Sequence, residues 1–258
     1  MVLQACLPPP RAWQLEGGID TGSTPQGDDT ADITIPCTSI AFMPDGSGEE
    51  GDARSHLTIF HDVLTEGSFV VDGSFTVDFY TWFTQEARSE THTLLSLGND
   101  RAWWLKVEDG ELVFQIKTED AGADEFEIRV DYPDEEGWHH VALAYNADIS
   151  PKAVSLYVDG TREGKETLDG PWPGPDPDTD VLKVARANDG SPSWPSSMDL
   201  LRFSQSLRYE GMTVVIEPET ATEGWQGIWH FSGDTANALT GMESDAQDVR
   251  YSEGVCPL

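Results

Sequence analysis

Residues 138–160 read WHHVALAYNADISPKAVSLYVDG. Val141, Leu143 and Tyr145 alternate with Ala142 and Ala144, and Val154, Leu156 and Val158 alternate with Ser155 and Tyr157. This period-two pattern predicts two strands, each with one face buried. The NADISPK segment joins them as a hairpin, and Asp159-Gly160 supplies the following turn, because glycine takes positive φ without steric cost and aspartate bonds its own local backbone. His139 and His140 are strand neighbours, so they point to opposite faces and cannot chelate one ion together.

The same periodicity extends along the chain. Phe75, Val77, Phe79 and Phe83 alternate with Thr76, Asp78, Tyr80 and Trp82, which predicts a strand whose first set faces the core. Further strands are expected at 39–43, 57–64, 94–97, 103–107, 112–116, 126–130, 181–185, 198–203, 214–216 and 227–231, the even spacing of short strands found in a sandwich. Glu108-Asp109-Gly110-Glu111 is a tight hairpin turn. The stretches 170–180 (GPWPGPDPDTD) and 186–197 (RANDGSPSWPSS) are surface loops, since proline and glycine prevent regular structure there. Residues 1–36 contain Pro8-Pro9-Pro10 and GGIDTGSTPQGDDTAD and have little to bury, so they read as a tether before one domain at 37–258. The fold class is all-β, a two-sheet antiparallel sandwich.

Trp138-His139-His140-Val141-Ala142 followed by Leu156-Tyr157-Val158-Asp159-Gly160 resembles the hairpin of laminin G-like domains, members of the concanavalin A-like jelly-roll class. Residues 75–79, 104–116 and 198–203 resemble that family's early strand, central hairpin and late strand, so the likeness spans residues 68–208. Gly227-Ile228-Trp229-His230-Phe231 with Ala238-Leu239-Thr240-Gly241 resembles the segment that usually begins such a repeat. Coming last here, it is expected to supply a closing strand of the same sandwich. With first and last strands side by side, Cys37 and Cys256 are placed to form a disulfide.

The resemblance also bears on function. Some laminin G-like domains bind calcium at the sandwich rim, and a hard cation needs six to eight oxygens; the candidate ligands are Asp176, Asp178, Asp180, Asn99, Asp100, Asn188 and Asp189. Related glucanases carry paired carboxylates on one strand, typically E-x-D-x-E. That motif is absent, and the nearest acidic runs, 108–111 and 131–136, sit at turns, so no catalytic residue is expected. The leading expectation is a non-enzymatic extracellular binding or adhesion module that recognises glycan or protein through rim loops or an aromatic outer face. Tyr80, Trp82, Trp104 and Tyr157 point away from the core, either as a platform or covered by the tails, and Trp172 and Trp194 lie in rim loops. Trp194 reads equally well as a packing anchor. The alternatives are a structural subunit of a surface layer, filament or envelope assembly, and, more remotely, a carbohydrate-active enzyme.

Composition limits the partners. Forty-seven acidic against fifteen basic residues give a formal charge of −32, a field that disfavours nucleic acid and anionic lipid and favours divalent cations, basic partners or a salty environment. There are three cysteines and no CxxC pair, which argues against a zinc site. Leu3-Gln4-Ala5-Cys6 resembles a bacterial lipobox, which implies a lipidated Cys6 as the only membrane contact and an extracytoplasmic location: surface-anchored, outer membrane-anchored or secreted.

Overall fold

The computed structural model describes residues 38–42, 56–60, 64, 73–98, 103–116, 126–168, 181–186, 194–218, 220–231, 234–247 and 249–253. Its strands in chain order are β1 (Thr38–Phe42), β2 (His56–Phe60), β3 (Phe75–Phe83), β4 (His92–Leu97), β5 (Trp103–Glu108), β6 (Glu111–Ile116), β7 (Phe126–Asp131) and β8 (Gly137–Asn146). They continue as β9 (Lys152–Val158), β10 (Thr161–Leu168), β11 (Val181–Val184), β12 (Ser197–Ser204), β13 (Gly227–Trp229), β14 (Asp245–Gln247) and β15 (Val249–Glu253). Among the described residues no helix is long and apolar enough to cross a membrane.

Two antiparallel sheets stack face to face. The first has the order β10-β9-β8-β3-β12-β1-β15, with β13 also paired to β12, and the second the order β14-β2-β11-β4-β5-β6-β7. The β8–β9 hairpin sits inside the first sheet, where β8 is paired with β3 from Phe75↔Tyr145 to Phe83↔Gly137. Val141, Leu143, Tyr145, Val154 and Leu156 enter one core with Phe75, Val77, Phe79 and Phe83. From the second sheet Trp103, Leu105, Val107, Leu112, Phe114 and Ile116 meet them. Each such fully buried side chain contributes roughly 1.5–3 kcal/mol.

Both Asp-Gly turns adopt the conformation that a two-residue hairpin needs. Asp109 and Gly110 have φ of 53° and 82°, and Asp159 and Gly160 have 49° and 75°; positive φ at both positions matches the twist of the flanking strands. The second turn leads into β10, which sequence periodicity misses. Its residues TREGKETL form a mostly exposed, charged edge with no apolar alternation. Strands β14 and β15 are missed for a similar reason, being short and polar.

Other boundaries differ from expectation. Residues 214–216 do not form a strand; the segment is tied to the β9–β10 turn by a Thr161↔Thr213 bridge and by Val214 N–H donating to the Gly160 carbonyl. β2 is described as far as Phe60, which is exposed, and residues 61–63 of the expected strand lie outside the described residues. The closing segment behaves as expected, since β13 pairs with β12 through Leu201↔Trp229. First and last strands also lie side by side, with Thr38 opposite Glu253. Cys37, Cys256 and Cys6 lie outside the described residues.

The edges of the two sheets approach at β10 and β7. A Cβ added to Gly164 would lie 2.5 Å from Ile128 Cγ2 and 2.8 Å from Val130 Cγ1, both methyls on stiff β-branched side chains. Gly164→Ala is therefore expected to destabilise the fold by about 1–3 kcal/mol, read as a lowered urea midpoint.

A charged link pins the hairpin start. His139 Nδ1 lies 2.7 Å from Asp159 Oδ2, and Nε2 lies 3.0 Å from the Glu135 carbonyl oxygen. Two acceptors require two donors, which only imidazolium supplies. The hydrogen bond from Asp159 accordingly raises the His139 pKa above 6.5, outweighing burial. A raised histidine pKa means that this stabilisation is complete below pH 6.5 and is lost as pH rises through the folded-state value. Wild type should lose stability relative to His139→Gln between about pH 6 and about pH 8 in chemical denaturation.

Candidate ligand-binding surface

The outer face of the first sheet is built by alternate residues of β12, β3, β8, β9 and β10. Direct cross-strand partners share a face, so Tyr80 sits beside His140, Trp82 beside Trp138, and Ala142 between Asp78 and Tyr157. Much of this face is covered by the chain that follows β12.

A buried ion pair holds that cover down. Arg202 on β12 donates from Nε to Asp78 Oδ1 at 2.8 Å and from Nη2 to Asp78 Oδ2 at 2.6 Å. The hydroxyl of Tyr209, on the covering segment, donates to the same carboxylate at 2.5 Å, and His140 Nε2 lies 3.2 Å from it. Arg202 Nη1 donates to the Glu217 and Pro218 carbonyls, and its guanidinium lies 4.6 Å from the centre of the Trp225 ring. Arg208 continues the clasp with a two-pronged bond to Glu217, which also accepts from Trp225 Nε1. Burial pushes the Asp78 carboxyl up, but hydrogen bonds from His140 and Arg202 outweigh it and hold the group below the usual carboxylate range.

This cover decides what the aromatic residues do. Tyr157 is buried beneath Tyr209 and donates its hydroxyl to the Gly211 carbonyl, so it is a packing residue and not part of an open platform. Tyr80 is half-buried, edge-on to His140 at 5.2 Å and packed with Leu200, Trp225 and Ile228. The next pair, Trp82 and Trp138, is half-exposed and edge-to-face, with ring centres 5.9 Å apart. Trp138 Nε1 is enclosed and has no hydrogen-bond partner among the described residues. In the sequence Trp138 reads only as a hairpin marker; its register opposite Trp82 is what places it on this face.

The remaining candidates separate. Trp104 is half-exposed on the other sheet, its Nε1 donating to Gln115 Oε1 at 2.9 Å, and so cannot join Trp82. Trp194 is fully buried, donates to Thr81 Oγ1 at 2.8 Å and lies edge-on to Phe83, which makes it the anchor of its loop and removes it from any binding surface. Trp172 and the calcium candidates Asn99, Asp100, Asp176, Asp178, Asp180, Asn188 and Asp189 lie outside the described residues. Among the described residues no group of three or more His, Cys, Asp or Glu is arranged to hold a metal.

The acidic turn beside β5 and β6 is a structural ion network. Arg129 on β7 bonds Glu108, Glu111 and Glu127, and Lys106 adds a 2.9 Å bond to Glu108. Burial raises the Glu108 pKa, yet these bonds reverse the shift and leave it lowered, the opposite of what a general acid requires.

The laminin G-type family model described as the concanavalin A-like lectin/glucanases superfamily matches residues 54–209, more than half of the chain. The chain belongs to this superfamily. Two similar solved structures share the fold of this concanavalin A-like chain, and a third aligns more loosely. One is a Bacteroides ovatus protein proposed to bind carbohydrate, with TM-score 0.56 and 17% identity over 86% of this chain; the match spans 60% of that protein. A heptameric SAP-like pentraxin from Limulus polyphemus has TM-score 0.52 and 12% identity, covering 85% of this chain and 95% of its own. Domains LG4-5 of the mouse laminin alpha1 chain align with TM-score 0.45 and 14% identity over 71% of this chain and 48% of theirs. No curated protein matches the chain.

Removing Asp78 would strand Arg202 as a buried, unpaired charge. Asp78→Ala is expected to destabilise the fold by about 3–5 kcal/mol or abolish its cooperative unfolding transition, as followed by denaturant titration.

Proposed function

We propose that this chain is a non-enzymatic carbohydrate-binding module whose ligand stacks on the aromatic corner formed by Trp82 and Trp138. The observation that carries the reading is the half-exposed, edge-to-face tryptophan pair just beyond the covered part of the first sheet. Indole rings offer flat apolar faces to the C–H side of a sugar, and an edge-to-face pair presents two such surfaces at a fixed angle. Tyr80, one row inward, adds a hydroxyl-bearing ring. Membership in a superfamily named for lectins and glucanases, and a fold neighbour proposed to bind carbohydrate, support the same reading. Against the glucanase branch stand the missing E-x-D-x-E pattern and the ion-paired state of Glu108 and Glu111. An extracytoplasmic setting, with Cys6 as anchor and calcium in the rim loops, belongs to this proposal.

Binding to a panel of immobilised polysaccharides tests it. Trp82→Ala and Trp138→Ala should each weaken capture of the retained polysaccharide by at least roughly tenfold, while Trp104→Ala leaves it unchanged. Retention unaffected by both corner substitutions, or catalytic depolymerisation of any polysaccharide in the panel, would sink the reading.

A further inference from the structure

At the other end of the same sheet face the covering segment leaves a cleft of about 200 Å³ between β8, β9, β10 and residues 207–211. Its floor is made of small side chains, Ala144, Ala153 and Ser155, and its inner wall of Tyr157 and Tyr209, whose ring centres are 6.0 Å apart. Its outer wall is β10, which contributes Arg162 and Lys165.

Those two cations should not share a face. Three positions apart on a regular strand, they would point to opposite sides of the sheet. The register of β10 slips between Arg162 and Gly164, so Arg162 pairs with Tyr157 and Lys165 pairs with Ser155. Tyr157 and Ser155 are two apart and face the same way, so the bulge brings both cations to the cleft. A bulge that re-aims a side chain in this way is a common device beside functional sites. Gly164 keeps its place because a side chain there would strike Ile128 and Val130.

The state of the two cations is unusual for so acidic a chain. Elsewhere Arg88, Lys106, Arg129, Arg202 and Arg208 each meet a carboxylate. Among the described residues Arg162 and Lys165 meet no carboxylate; Arg162 hydrogen-bonds the Tyr157 hydroxyl, and its Nη2 lies 2.7 Å from Met212 Sδ, a weak acceptor. Among the described residues Glu210 is the single carboxylate lining the cleft, set against two cations in a chain of net charge −32.

We infer that this cleft is a second ligand site, distinct from the tryptophan corner, that takes a carboxylate-bearing monosaccharide. The carboxylate sits at the mouth between Arg162 and Lys165, where charge-assisted hydrogen bonds are strongest. The sugar ring lies at the opening of the cleft beside Ile149 and Leu207, with Ser155 and Asn146 available to its hydroxyls. Size supports a ring over a bare ion, since the cleft holds several times the ~30 Å³ that one water occupies in the liquid.

Isothermal titration of the full chain with D-glucuronate, D-glucose and inorganic sulfate tests the site. Glucuronate should bind with a dissociation constant of about 1 mM or tighter, and glucose and sulfate at least roughly tenfold more weakly. Arg162→Gln and Lys165→Gln should each weaken glucuronate by roughly tenfold while leaving the urea midpoint unchanged. A Trp82→Ala, Trp138→Ala double variant should bind glucuronate as wild type does, which separates failure here from failure of the corner. Absent glucuronate binding, equal binding of glucose or sulfate, insensitivity to both glutamine variants, or loss in the tryptophan double variant would each overturn the inference.

Discussion

The bond between Asp78 and Arg202 is the constraint on which the accessible surface of this protein depends. Both side chains are essentially without solvent contact, so neither charge is tolerable without the other. Two parallel N–H bonds fix the guanidinium in plane with the carboxylate, and the remaining Arg202 donors reach the Glu217 and Pro218 carbonyls. A pair that joins β3 to β12 thereby also fastens residues 207–218, which have little regular structure of their own. Trp225, lying against both Arg202 and Arg208, closes the assembly from above.

That fastening divides one sheet face into three zones. In the middle, Tyr209 covers Ala142, Ala144 and Tyr157 and turns an outer surface into a small second core. Toward the start of β8 the cover thins over Tyr80 and leaves Trp82 and Trp138 half-exposed. Toward the end of β8 the cover stands off small side chains, and space remains beneath it. A single antiparallel sheet thus combines a wall, an aromatic corner and a polar cleft, although its pleat would otherwise present one uniform solvated surface.

Charge is distributed with the same economy. Fifteen basic residues face forty-seven acidic ones, and many of the cations are spent inside networks: Arg129 among three glutamates, Arg208 on Glu217, Arg202 on Asp78. The β10 edge differs, with charges of both signs along a strand that ends its sheet. Charged side chains on such an edge also discourage pairing with another chain. The glycine-bearing bulge then orients two of the cations inward along the sheet face instead of leaving them to alternate.

The chain's own pattern was enough for the scaffold. Alternation at 75–83, 103–116 and 138–158 identified the strands and which side of each is buried, and the Asp-Gly pairs marked two hairpin turns, because side-chain period and turn chemistry are local properties. It also ruled His139 and His140 out as a joint ligand pair. The edge strand β10, the irregular course of 214–216 and the burial of Tyr157 and Trp194 were settled only by tertiary structure. Their environment is supplied by residues fifty or more positions away: Gly211 over Tyr157 and Thr81 under Trp194. Asp78 and Arg202 read locally as two solvated charges, one on each of two strands; they become the clasp because strand pairing sets them on one face and a later segment excludes water from them. In the strands that alternation marks, sequence alone determined which way each side chain points, whereas what it meets there was decided by the order in which distant strands pair.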